Sequence, residues 1–180
     1  MNQKKLIQNI IDQIKEAQIK LGYAKETLRL YYPVSSLNAL LGTECADAEE
    51  MAEMLNEDFA EGDVVLGQVR FAVSSGRIEV SVPPEGAEYV HENVKDTEFL
   101  IDLIGLFRDH HSCSIDQVCD VFRRYSSDFE CKEMPEDTDF DYVVHFMEPG
   151  IDEYYYCIKM EMGHTIYHRF TKADYELLLV

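Results

Sequence analysis

The sequence predicts an α+β fold in which N-terminal helices and a buried central helix pack on antiparallel β-hairpins, followed by a C-terminal β-meander and a short final helix. Three observations point to it. Apolar residues recur at helical spacing through much of the first 62 residues and again from Phe99 to Tyr125. They alternate with polar residues at 69–82 and 154–170, each time about a glycine-containing turn. At 180 residues the chain is long enough for one good core and short for two. A single compact domain over 1–180 is therefore expected, mainly helical over 1–62, with hairpin, helices and meander over 63–180.

The first helix is expected from Lys4 to Leu21, because Ile7, Ile10, Ile11, Ile14, Ala17 and Leu21 form one stripe and Gly22 follows it. A seam that narrow packs on its own domain or on a second copy, so helix 4–21 is the surface a homodimer would use. The stretch 23–33 ends extended, since Pro33 disfavours helix at Tyr32. Ser35 or Ser36 then caps a short helix closed by Gly42. Asp47, with Glu50 three residues on, opens a helix to about Ala60 whose inner face is Met51, Met54, Leu55 and Phe59.

Val69, Phe71 and Val73 alternate, Ser75-Gly76 turns the chain, and Ile78, Val80 and Val82 alternate back. A two-residue turn pairs Val73 with Ile78, Phe71 with Val80 and Val69 with Val82. After Pro83-Pro84 a helix is expected around Glu85 to Val94. The segment 99–107 is apolar on nearly all sides and reads as the central buried helix. Ser114 and Gln117 open a further helix that buries Ile115, Val118, Cys119 and Phe122. Strands at 128–134 and 142–147 lead to the final hairpin. There Tyr154, Tyr156, Ile158 and Met160 share parity with His164, Ile166, His168 and Phe170, and a three-residue loop Glu161-Met162-Gly163 sets Ile158 opposite Ile166 and Tyr154 opposite Phe170. Thr171 and Asp174 cap the last helix, 175–180.

Hydrophobic residues at 46% and charged residues at 28% exclude the low-hydrophobicity signature of disorder. The net charge is −19, unevenly spread: up to Arg29 six bases meet three acids, and from Gly42 to Asp63 there are acids and no bases. Such a body opposes nucleic acid and anionic membrane, and no window is apolar enough to span a bilayer. A basic protein is the partner this charge favours. No secretory leader is expected at the amino terminus. Cys45, Cys113, Cys119, Cys131 and Cys157 form no CxxC pair, which fits free thiols in the reducing cytoplasm.

Helix 96–109, the turn 110–113 and helix 114–125 followed by strands have the outline of a winged helix, but a recognition helix there would bring Asp116 and Asp120 to phosphates along with Arg123 and Arg124. His110, His111 and Cys113 are metal-ligand types without a second pair at finger spacing. His164 and His168 on a strand stand roughly 13 Å apart. His145 reads as a core histidine. Asp137, Asp139, Asp141 and Glu148 fall at calcium-loop positions, but Tyr142 takes the place that needs glycine, so an acidic solvated hairpin loop is the stronger reading. No phosphate loop, nucleophile elbow or zinc-protease motif occurs, so no catalytic residue and no cofactor is assigned.

The leading expectation is a non-enzymatic, acidic protein-binding or regulatory module. The rival is a small enzyme or metabolite-binding protein whose pocket is lined by Tyr31, Tyr32, Tyr156, His164, His168 and Arg169. A Cys157–His168 pairing is the nucleophile and base that spacing leaves open.

The run 19–38 (Ile19-Lys-Leu-Gly-Tyr-Ala-Lys-Glu-Thr-Leu-Arg-Leu-Tyr-Tyr-Pro-Val-Ser-Ser-Leu-Asn38) and the run 162–172 (Met162-Gly-His-Thr-Ile-Tyr-His-Arg-Phe-Thr-Lys172) resemble a family of short bacterial proteins carried under a domain-of-unknown-function label. The resemblance covers essentially the whole chain. It implies a bacterial cytoplasmic protein and brings no activity, ligand or catalytic residue.

Overall fold

The structure, a computed structural model, describes residues 2–180. Its contacts divide into two compact units, one ending at Asp96 and the other spanning Thr97–Val180. Each combines helices with an antiparallel sheet, so the fold is α+β.

The first unit contains α1 (Gln3–Leu21), β1 (Leu28–Tyr32), α2 (Val34–Leu41), α3 (Ala48–Asp58), β2 (Arg70–Ser74), β3 (Arg77–Val82) and α4 (Pro84–Asn93). In the β2–β3 hairpin Val73 faces Ile78 and Phe71 faces Val80, as the alternation predicts. Ser75 and Gly76 turn it with φ of 51° and 74°, the left-handed pair that a two-residue hairpin turn needs. β1 joins the other edge of β3, pairing Leu30 with Val80 and Tyr32 with Ile78. One sheet face thereby gathers apolar side chains into a core with α1, α2 and α3.

Leu6, Ile10 and Ile14 of α1 are fully buried in that core, whereas Leu21, expected to continue the stripe, is 87% exposed. The α2 cap also differs from expectation. Pro33, extended at φ −61° and ψ 148°, precedes the helix, and both serines lie inside it. Asp47 caps α3 by accepting the Glu50 N–H at 2.9 Å. β2 is an edge strand in the order β1-β3-β2. Asn56 of α3 closes that edge, donating to the Phe71 carbonyl at 2.7 Å and accepting the Phe71 N–H at 3.1 Å.

The second unit contains α5 (Glu98–Asp109), α6 (Ile115–Tyr125), β4 (Phe129–Glu133), β5 (Tyr142–Phe146), β6 (Tyr155–Glu161), β7 (His164–Phe170) and α7 (Lys172–Leu178). Its strands pair in chain order, β4-β5-β6-β7. On one face α5 and α6 build an aromatic core: the Phe99 ring lies 4.8 Å from Phe122 and from Phe146 and 5.7 Å from Tyr156. The other face buries Val143 and Cys157 under Met134, Phe140, Tyr155, Phe170 and Tyr175 of α7. Tyr155 stacks between His145 at 4.1 Å and Tyr175 at 4.6 Å.

Two expectations fail here. The helix over 99–107 is buried on one side only, with Ile101 44% exposed. The β6–β7 loop has two residues, Met162-Gly163, so Ile158 faces Tyr167, Lys159 faces Ile166 and Tyr155 faces Phe170. Parity fixes register only when one face meets water. Apolar residues occupy both faces of this sheet, Val143, Cys157 and Phe170 on one and Tyr156, Ile158 and Tyr167 on the other, so parity alone does not select the register, and Ile166 is left 43% exposed.

Candidate functional site

The shifted register separates the residues expected to line one pocket. Cross-strand partners share a face, so Tyr156 and Arg169 lie together under α5 and α6, while His168, paired with Cys157, and His164 lie on the opposite face. Tyr31 and Tyr32 belong to β1 of the first unit. There the Tyr31 hydroxyl donates to Glu79 at 3.0 Å and the Tyr32 hydroxyl to Asn9 at 2.8 Å. The six do not form one constellation.

Arg169 and Tyr156 instead meet a residue that sequence reasoning passed over. The side chains of Arg169 and Asp152 are each 6% exposed and 3.7 Å apart. Asp152 also accepts the Tyr156 hydroxyl at 3.0 Å and the Tyr154 N–H at 2.9 Å, and the guanidinium lies 3.7 Å over the Tyr154 ring. Carboxylate and aromatic face thus flank the buried guanidinium, and the Tyr156 hydroxyl on the same carboxylate helps hold the β5–β6 connection on the sheet. The one sequence signal was an arginine among aromatics, followed back across the hairpin to Asp152.

Cys157 and His168 are brought directly opposite each other. Cys157 is fully buried, and burial pushes its thiol up to about 12, so it stays protonated and unreactive at neutral pH. His145 is the buried histidine that the strand pattern predicts. Its ring nitrogens lie 3.1 Å from the Phe146 carbonyl and 3.3 Å from Glu130.

The calcium-loop carboxylates are separated by β5. Asp137, Asp139 and Asp141 precede it, and Glu148 follows it. Seven residues of largely extended chain place Asp141 and Glu148 roughly 20 Å apart. Asp141 accepts the Met160 N–H at 2.6 Å, and Glu148 accepts the Ser126 hydroxyl at 3.2 Å. Cys113 of the second metal-like cluster is buried and exchanges hydrogen bonds with Thr165. Among the described residues no three or more His, Cys, Asp or Glu side chains converge as metal ligands.

Between α5 and α6 lies an open depression of about 440 Å³ lined by Leu106, Gln117, Asp120, Val121, Arg123 and Arg124. Both guanidinium groups are paired, Arg123 with Asp120 and Arg124 with Asp102 at 3.0 Å. Asp102 also accepts the Tyr125 hydroxyl at 2.7 Å, and burial together with that bond pushes the phenol up to about 12. Both arginine side chains remain more than half exposed.

A concentrated run of uncompensated charge lies on α3. Ala48, Met51, Ala52 and Leu55 are buried, while Glu49, Glu50, Glu53, Glu57 and Asp58 are exposed. Among the described residues none of these five carboxylates has a cation at ion-pair distance. Four bases of the same unit pair elsewhere: Lys15 with Asp96, Lys20 with Glu16, Lys25 with Glu88 and Arg29 with Glu79. Glu57 and Asp58 occupy the last turn, which carries no base, although the helix dipole favours cations there.

A family model described as "Domain of unknown function, E. rectale Gene description (DUF3877)" matches residues 3–179. Neither a curated protein nor a solved structure matches the chain.

Proposed function

Because the chain belongs to this family of uncharacterised domains, membership brings no activity with it, and we propose from its physical chemistry that it is a non-enzymatic binding or regulatory module of the bacterial cytoplasm. Its partner is a basic protein, met by the outer face of α3. The observation that carries this reading is the row of five exposed carboxylates without internal cations on one helix. Glu49, Glu53 and Glu57 repeat at i, i+4 spacing, where like charges each cost about 0.2–0.5 kcal/mol. A basic surface would remove that repulsion and gain association rate from the field. The free thiols Cys45, Cys113, Cys119, Cys131 and Cys157 support a reducing compartment. No described helix is long and apolar enough to cross a membrane.

The test compares the protein with its Glu49→Gln/Glu53→Gln/Glu57→Gln variant for binding to basic proteins and peptides of graded charge, at low and moderate salt. Binding should weaken with salt and fall at least tenfold in the variant. Equal binding by both proteins removes α3 as the interface, and binding indifferent to salt removes the electrostatic reading.

A further inference from the structure

The loop after α5 is fastened to the start of β7. The Thr165 N–H donates to the His111 carbonyl at 2.9 Å, the Thr165 hydroxyl donates to the Cys113 carbonyl at 2.8 Å, and the Cys113 N–H returns to that hydroxyl at 3.1 Å. Thr165 and Cys113 are buried, so this junction is held in the interior of the unit. Its neighbours His111 and His164 are both exposed. Their rings stand 6.2 Å apart, centre to centre, with planes inclined by 75°.

Metal–nitrogen bonds of about 2.0–2.1 Å on each side of one ion place two ligand imidazoles roughly 5–6.5 Å apart between ring centres. We propose that His111 and His164 form a two-histidine site for a borderline divalent transition ion, with water completing its coordination. Imidazole suits zinc, nickel, cobalt and copper ions and does not suit the hard ions calcium and magnesium, which prefer oxygen. The pair joins residues more than fifty positions apart in the sequence, and the Thr165 hydrogen bonds limit the reorganisation that ion capture requires. Neither histidine belongs to the calcium-type loop, and buried Cys113 is a brace of the site, not a ligand.

The experiment uses the full chain with its thiols kept reduced and Ni²⁺ as the probe, which avoids copper's oxidation of cysteine. Thermal unfolding and calorimetric titration are run on the wild type and on His110→Ala, His111→Ala and His164→Ala, with Ca²⁺ and Mg²⁺ in parallel. Ni²⁺ should raise the midpoint of the wild type and of H110A, while H111A and H164A lose at least tenfold in affinity. Both histidines are exposed, so metal-free midpoints should stay near wild type and show that the variants fold. The proposal is overturned if Ni²⁺ leaves the wild type unmoved, if either H111A or H164A keeps its affinity, or if H110A loses as much as they do.

Discussion

Gly86→Ala and Gly105→Ala make the same chemical change in two helices and should move stability in opposite directions. In a helix interior alanine is favoured over glycine by about 1 kcal/mol, partly because it restricts the unfolded chain. At Gly105 of α5 an added Cβ meets nothing within 4 Å, so that gain of about 0.5–1 kcal/mol should be realised. At Gly86 of α4 the Cβ would stand 2.6 Å from the Leu66 carbonyl oxygen and 2.8 Å from Val82 Cγ1. The carbonyl is backbone and cannot rotate aside. Its loop is pinned by Asp63, whose carboxylate accepts the Val65 and Leu66 N–H groups at 2.8 Å each, and by paired Asp63–Gly67 backbone bonds. Overpacking of about 1–3 kcal/mol must therefore exceed the propensity gain, for a net loss of roughly 1–2 kcal/mol. Urea unfolding followed by circular dichroism reads this as a lower midpoint at unchanged slope for G86A and a higher one for G105A. If G86A is as stable as the wild type, α4 does not press on the 63–67 loop and the packing argument is wrong.

Other consequences are open to the same kind of measurement. Asn56→Ala frees the Phe71 backbone edge, and a loss of about 1–2 kcal/mol is expected, together with concentration-dependent association in light scattering; an unchanged midpoint would mean that water replaces the amide fully. Thr165→Val keeps the volume but strands the Cys113 backbone groups, so about 1–3 kcal/mol should be lost in urea unfolding, and a loss below that range would show the junction is not sealed. Lys132 first, against the upward push of burial, and then His145 hold the Glu130 carboxyl below its usual range. A depressed folded pKa contributes stability above the unfolded carboxylate value of about 4.3 that is lost as pH falls through the folded value. The difference in stability between wild type and Glu130→Gln should thus shrink as unfolding is repeated from neutral to acid pH, and it should be small, since the side chain is 34% exposed. A difference that does not vary with pH would contradict the pairing. Alkylation should leave Cys157 unmodified in the native protein and label it in urea; native labelling would contradict its burial.

How much was legible in the sequence depended on how many faces an element buries. The β2–β3 register could be read because a two-residue left-handed turn and a one-sided apolar alternation agree, and only one pairing satisfies both. The β6–β7 register could not, because α5 and α6 cover one face and α7 with the 134–140 segment covers part of the other, so apolar residues occur on both and parity no longer selects a pairing. That one-residue difference also dispersed the expected Tyr/His/Arg pocket, since it carried Arg169 to one face and His168 to the other. The calcium-loop spacing was legible as residue types, but a strand in place of the loop's central residues draws Glu148 away from Asp141. The acidic face of α3 was visible in composition, and its lack of internal cations only in three dimensions. Nothing local in the sequence relates His111 to His164, because their meeting depends on Thr165 bonding to the Cys113 backbone.

The order of strands in the two sheets gives the units different routes to their structure. In β4-β5-β6-β7 each strand finds its partner next in the chain, so the sheet can grow by successive local closures, the low-contact-order case that favours fast folding. In the first unit β1 waits for β3: Leu28 meets Val82 and Tyr32 meets Ile78, about fifty residues on, after α2, α3 and the β2–β3 hairpin have intervened. The hairpin is a ready template, and contact order makes docking of β1 onto its free edge the step expected last. Refolding probed separately in the two units should accordingly show the sheet of the second half forming ahead of the closure of β1, although β1 lies far earlier in the chain.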